Sequence, residues 1–185
     1  SEAEYYEDNL VEGESLNAYR YINNGTINRY VHFWGTKPIR INKMVQPYLR
    51  YKYMTSRRKD LFSKSKLIFC KLSKRPQVFW DKNGVFASAN TNMVYNLHTY
   101  DYRFLLGYLN SQLFNFVYHT MYGGLSMLGT IQVQAPQIKK SLIPTVTNST
   151  IISLIIDSVD NILLLKENPL TDTSIMENEV DKLVY

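Results

Sequence analysis

Three histidines, one cysteine and a dense run of lysines and arginines are the side chains from which any chemistry would have to be built. His32, His98 and His119 lie far apart, and none has a cysteine or an acid at metal-ligand spacing. They read as ordinary surface or core histidines, and no metal is expected. Cys70 has no disulfide partner in the chain and sits in the apolar run Leu67–Leu72, so it reads as a buried, inert thiol in a reducing compartment. There is no glycine-rich phosphate loop and no GxSxG. The pattern Asp/Glu-x-Lys, which would hold Mg²⁺ and activate water, is absent. The single Asn-Pro, Asn168-Pro169, runs on into Leu170 and Thr171. It lacks the second proline and the aromatic ring of the loop with which adenine methyltransferases grip a target amino group. The residues predict a binder without a catalytic centre.

The cations carry the positive signal. Residues 1–15 hold six acids and no base, whereas residues 37–75 hold thirteen bases against Asp60 alone. From Ser149 onward there are seven acids and two bases. The net charge of +5 therefore conceals an electropositive middle between acidic ends, a pattern that fits nucleic acid or another anionic surface. Thirteen bases would neutralise several phosphates and release their counterions, giving an affinity that falls with salt. Arg57, Arg58, Lys59, Lys74 and Arg75 flank an apolar strand at its turns, where long side chains reach a groove, and Arg40 belongs to the same basic segment. Arginine can pair bidentately with guanine, and Asn90 or Asn92 with adenine. For any one of these residues, a phosphate contact or plain solubility is the favoured role over base reading. Trp34, Tyr30 and Trp80 read as core residues before base-stacking platforms.

The elements that must position these side chains change character midway. Asn23-Asn24-Gly25 is a turn, Thr26–Trp34 reads as a strand bounded by Gly35 and Pro38, and Arg40–Met44 as another. Ser56 caps a single helical turn through Leu61-Phe62. Lys66–Leu72 and Gln77–Trp80 are β-like, Asp81 to Gly84 is a hairpin turn, and "VFASANTNMVYNL" supplies one or two more strands. Beyond Asp101 the period becomes helical: Phe104, Leu105, Tyr108, Leu109, Leu113, Phe116 and Val117 define one long amphipathic helix ended by Gly123-Gly124. "GTIQVQAP" is a short strand, and "SLIPTV" closes the compact region. After Asn148 a second helix carries Ile152, Ile155, Ile156, Val159 and Leu163 on one side. Pro169 interrupts it and Ser174–Tyr185 forms a third, completing an antiparallel helical hairpin.

At 185 residues the chain suits one core with a small appendage. No apolar run approaches the length of a membrane span. The start is too acidic for a signal peptide, so a cytoplasmic location is expected.

Five blocks taken in order carry a family resemblance. "GTINRYVHFWGTKPIR", "KSKLIFCKLSKRPQVFWDKNGVFASAN", "RFLLGYLNSQLFNFVY", "QIKKSLIP" and "ENEVDKLVY" cover nearly all of residues 20–185. Together the chain resembles the TaqI-like C-terminal specificity domain, the target-recognition domain of adenine methyltransferases and of fused restriction–modification enzymes. The resemblance implies an α+β fold, β-rich and irregular, partly β-helix-like, with one long packed helix and a C-terminal helical hairpin. It implies an acidic lead-in (1–19), a double-stranded DNA recognition domain (20–148) and a helical arm (149–185). It also implies a methyltransferase or nuclease domain upstream as partner, with S-adenosylmethionine, and Mg²⁺ where cleavage occurs, bound there and no cofactor here. The chain then reads as an excised, non-catalytic domain. A single-strand or RNA binder, or a protein-docking domain, would share the basic and aromatic composition.

Overall fold

The computed structural model describes residues 1–13, 16–123 and 129–185. Helix α1 (Glu2–Asp8) opens the chain under a capping box from Ser1, with Ala3 and Tyr6 turned inward. The β half follows as β1 (Leu10–Glu12), β2 (Ala18–Ile22), β3 (Ile27–Asn28), β4 (Val31–His32) and β5 (Pro47–Arg50). Helix α2 (Ser56–Phe62) separates these from β6 (Lys66–Cys70), β7 (Leu72–Ser73), β8 (Val78–Asp81), β9 (Phe86–Ser88) and β10 (Thr91–Tyr95). The second half contains α3 (Tyr102–Asn110), α4 (Gln112–Tyr122), β11 (Ile131–Gln132), α5 (Ala135–Lys140), α6 (Ser149–Leu165) and α7 (Ser174–Val184).

The fold is mixed α+β, with about 42% helix and 21% strand, so the helices outweigh the strands. The first sheet has the order β1-β5-β2-β9, and the second β10-β6-β8. The remaining strands form the pairs β11-β7 and β3-β4. Only the β2–β9 pairing is parallel among these ladders. Three apolar clusters hold the layers together. Tyr19, Tyr21, Leu49 and Phe62 join the first sheet to α1 and α2. Ile22, Ile68, Phe79 and Phe86 join the two sheets. The largest cluster packs Leu67, Phe69 and Val78 of the second sheet against α3, α4, α6 and α7.

Gly107 shows why α3 admits the helical hairpin so closely. A Cβ there would lie 3.1 Å from methyls of Ile155 and Val159 and 3.3 Å from Val180, tighter than ordinary contact. The hairpin 149–185 thus shares the main core. Residues 1–13 likewise share the first core through Ala3, Tyr6 and Leu10.

Several elements depart from the expected pattern. Thr26–Trp34 is a tight hairpin, Ile27 opposite His32 and Asn28 opposite Val31. Tyr30 adopts φ 63° at the bend, because its ring is buried in the main core and its N–H donates to the Val78 carbonyl at 2.8 Å. Arg40–Met44 is a turn: the Ile39 N–H donates to the Met44 carbonyl at 2.9 Å, with Lys43 at φ 62°. The strand lies later, at β5. Asp81–Gly84 reverses the chain without making a hairpin, since β9 leaves to pair with β2. Gly84 has φ 63°, and a Cβ there would overlap the Ser63 carbonyl. The cap of α2 is Thr55, whose hydroxyl accepts from the Arg58 N–H.

The expected long helix is two. Ser111 is extended (φ −72°, ψ 161°) and caps α4 by accepting from the Phe114 N–H. Its neighbour Asn110 is fully buried, and its side-chain amide bonds both the N–H and the carbonyl of Val78, at 3.0 and 2.9 Å. That amide substitutes for a strand neighbour on β8, which fixes the break where the sequence shows only continuous helical period. Gly123 caps α4, while Gly124 lies outside the described residues. Helix α5 was not expected; proline in its first turn suits a helix start.

Candidate nucleic-acid interface

Strand β10 is an edge strand, and along it the structure brings part of the expected site together. A groove of about 440 Å³ is lined by Glu2, Arg58, Leu61, Asn90, Asn92 and Tyr95 among others. A neighbouring one of about 390 Å³ is lined by Thr55, Arg57, Arg58, Asp60 and Tyr95, and Glu2 is common to both. Helix α2 presents Arg57, exposed, and Arg58 to this edge. Asn90 takes φ 57° in the β9–β10 turn, a conformation asparagine tolerates, and its side chain is exposed. Asn92 donates its amide to the Val133 carbonyl at 2.6 Å. Between the grooves, Glu2 holds Arg58 in a fork, with Nε donating to Oε1 at 2.6 Å and Nη2 to Oε2. A carboxylate here occupies the bidentate geometry that a phosphate or guanine edge would use.

The other expected residues lie elsewhere. Arg40 is exposed in the turn after Ile39, and Lys74 is exposed in the β7–β8 connection. Arg75 turns toward the helical half, and its Nη2 donates to the Asn110 carbonyl at 3.0 Å. Lys59 stays half-buried on α2, its carbonyl accepting from the Tyr19 hydroxyl at 3.0 Å.

The basic stretch is also less free than its sequence implies. Lys66 and Asp81 face each other across β6 and β8 and form a fully buried ion pair. Lys66 also donates to the Phe62 and Lys64 carbonyls, and Asp81 accepts from the Val85 and Phe86 N–H groups. Burial pulls the Lys66 pKa below its ordinary value against the opposing pull of Asp81. Lys64 pairs with Asp60 at 2.6 Å. Trp80 stacks on Tyr102 and packs at the core margin, and Cys70 is buried, with its pKa raised chiefly by that burial.

A second cationic surface went unread in the sequence. Val11, Tyr48, Arg20 and Phe86 stand in one row across the first sheet, and Arg50 lies two residues beyond Tyr48 on the same face. The Arg20 guanidinium sits over the Trp34 ring, 4.7 Å from its centroid. Trp34 is held by donation from Nε1 to the Pro47 carbonyl at 2.9 Å and by an edge contact with Tyr48, centroids 5.3 Å apart at 83°. On the same side of the sheet His32 packs against Phe79 and Phe86. Burial, then the Arg20 cation, push its pKa down to about 4, so the imidazole is neutral near pH 7. Period-2 spacing of Tyr48 and Arg50 was the available signal, but β5 itself was missed.

Among the described residues, no three His, Cys, Asp or Glu side chains are grouped to hold a metal, and no helix is long and apolar enough to cross a membrane. A search of curated proteins returned no match. A family profile does match, over residues 8–141, spanning both sheets, helices α3 to α5 and the lining of the β10 grooves apart from α1 and Ser1. The chain belongs to the family of the TaqI-like C-terminal specificity domain.

Proposed function

We propose that this chain is the DNA target-recognition domain of a restriction–modification enzyme, binding a short duplex sequence on behalf of a catalytic module elsewhere in the parent protein and catalysing nothing itself. The family membership carries this reading. It is supported by the β10 grooves, where Arg57, Arg58, Asn90 and Asn92 converge on an exposed strand edge. Arg57 and Asn90 are the base readers in this proposal, and Arg58 joins them when Glu2 yields. Arg40, Lys59 and Lys74 touch phosphate. Arg75 is a structural link to α3, not a reader, because its Nη2 donates to the Asn110 carbonyl and its Nε is buried. The attached module is an upstream adenine methyltransferase using S-adenosylmethionine. The acidic hairpin α6–α7 faces that module, since its five excess negative charges repel phosphate (seven acids less two bases).

Selection of binding sequences from a random duplex pool tests this, with single-stranded DNA and RNA as competitors. The expected result is enrichment of one short motif that unlabelled duplex competes away and the single strands do not. Failure to enrich any motif, or equal competition by single strands, would refute it.

A further inference from the structure

The cations of this chain divide sharply by what meets them. Arg29 pairs with Glu177, Arg58 with Glu2, Lys64 with Asp60, Lys66 with Asp81, and Arg103 with Asp101 and Asp160. At the open margin of the first-sheet face whose Ile22 and Phe86 pack on the second sheet, Arg20 and Arg50 are exposed and make no ion pair or side-chain hydrogen bond among the described residues. Lys37, exposed beside this face in sequence, also lacks an acid and lies 5.9 Å over Phe33.

Arg20 is unpaired yet held. Its guanidinium is stacked on an indole that is itself anchored to the β5 backbone and wedged by Tyr48. Stacking restrains the side chain through its flat face and leaves the N–H groups at the edge of the plane without an acceptor. The entropy of ordering a long side chain, normally spent on binding, is largely spent already. Arg50 stands one row away on the same face of a rigid strand. A pair of cations on a sheet, one of them preordered and neither neutralised, is complementary to closely spaced phosphates.

We propose that this face, built from Arg20, Trp34, Tyr48 and Arg50, is a second DNA contact, separate from the β10 grooves, which grips the phosphate backbone of the duplex and carries no sequence information. Trp34 is a positioning residue for Arg20. The proposal rests on the DNA-recognition reading above. It divides the labour of that reading: bases are read at β10, and the backbone is clamped on the first sheet.

The test is fluorescence anisotropy of the full chain with a labelled duplex carrying the selected motif and with one of scrambled sequence, across a salt series. The Arg20→Ala/Arg50→Ala variant should lose about tenfold in affinity for both duplexes alike, with the salt slope reduced by roughly two units. Arg20→Lys, which keeps charge without the stacked fork, should fall between. If the double variant melts early, Arg50→Ala alone carries the test, since that side chain is exposed and unpartnered; its slope should drop by about one unit. Unchanged affinity and slope would overturn the proposal. A loss confined to the selected motif would also overturn it, because that is base reading. If the wild-type chain binds neither duplex, the DNA-recognition reading itself fails, a result distinct from wild-type binding that the variants leave intact.

Discussion

The stretch Ser56–Pro76 and the open margin of the first sheet are both cationic, but the fold treats much of the stretch differently. In the stretch, half of the cations are engaged by the fold: Lys66 is buried against Asp81, Lys64 meets Asp60, Arg58 is forked by Glu2, and Arg75 bonds the Asn110 carbonyl, while Arg57 and Lys74 stay exposed. On the sheet face, Arg20 and Arg50 meet aromatic rings or solvent. Density of positive charge along a sequence therefore measures neither how much of it is free nor where. A cation next to an acid in space is part of the scaffold, while one next to an indole is held and remains available.

That contrast can be broken at its strongest point first. Asp81→Ala strips Lys66 of its only buried counter-charge and removes the acceptor for two backbone N–H groups. Leaving an ammonium buried and unpaired should cost about 3–5 kcal/mol, read as a shifted urea midpoint. A loss below 1 kcal/mol would mean that the stretch is not held together by its own charges. Next comes the neutral imidazole packed on Phe86 beside Arg20. His32 has a folded pKa of about 4, against about 6.5 in the unfolded chain. Between those values the unfolded state binds more protons, so the stability His32 permits is complete above pH 6.5 and is lost as pH falls toward 4. The loss amounts to up to about 3 kcal/mol. Melting curves at pH 7 and pH 4.5 for wild type and His32→Phe should show the acid sensitivity reduced in the variant. The smallest effect is at Glu2. Its pair with Arg58 is roughly 40% exposed on both sides, so Glu2→Gln should change stability by less than about 1 kcal/mol. It also converts a paired cation into a free one, so the salt slope for duplex DNA should steepen by about one unit. An unchanged slope would show that Arg58 does not meet DNA.

Much of the frame was legible because it rests on local signals. Asn148 caps α6, Asp101 caps α3, and the apolar period that predicts α6 places Ile155 and Val159 in the core. What escaped depends on partners distant in sequence. Lys66 and Asp81 become neighbours only once β6 and β8 are in register. Ser111 breaks a helix because Asn110 is needed at Val78. Tyr30 bends a strand because its ring is claimed by the helical core. The same limit applied to the site: Arg57, Arg58, Asn90 and Asn92 were read from residue type and do share an edge, while Arg40, Lys74 and Arg75 do not join them. Arg20 was passed over because nothing in its own neighbourhood announces Trp34.

The parallel pairing of β2 with β9 gives the molecule the layout of an exchangeable cassette. Residues 51–85 leave the first sheet just after Arg50, which is aligned with Ala18, and rejoin it at Phe86, which is aligned with Arg20. Both posts are pinned to β2 on opposite sides, two strand spacings or about 10 Å apart. The insert between them brings α2, β6 and β8 together with both halves of the Lys66–Asp81 pair. Changes of length between the posts leave the first sheet's pairing intact, provided the insert still offers β10 an edge and still supplies Phe62, Leu67, Ile68, Phe69, Val78 and Phe79 to the three cores. A fold wired in this way confines such changes to the surface of the segment between the posts.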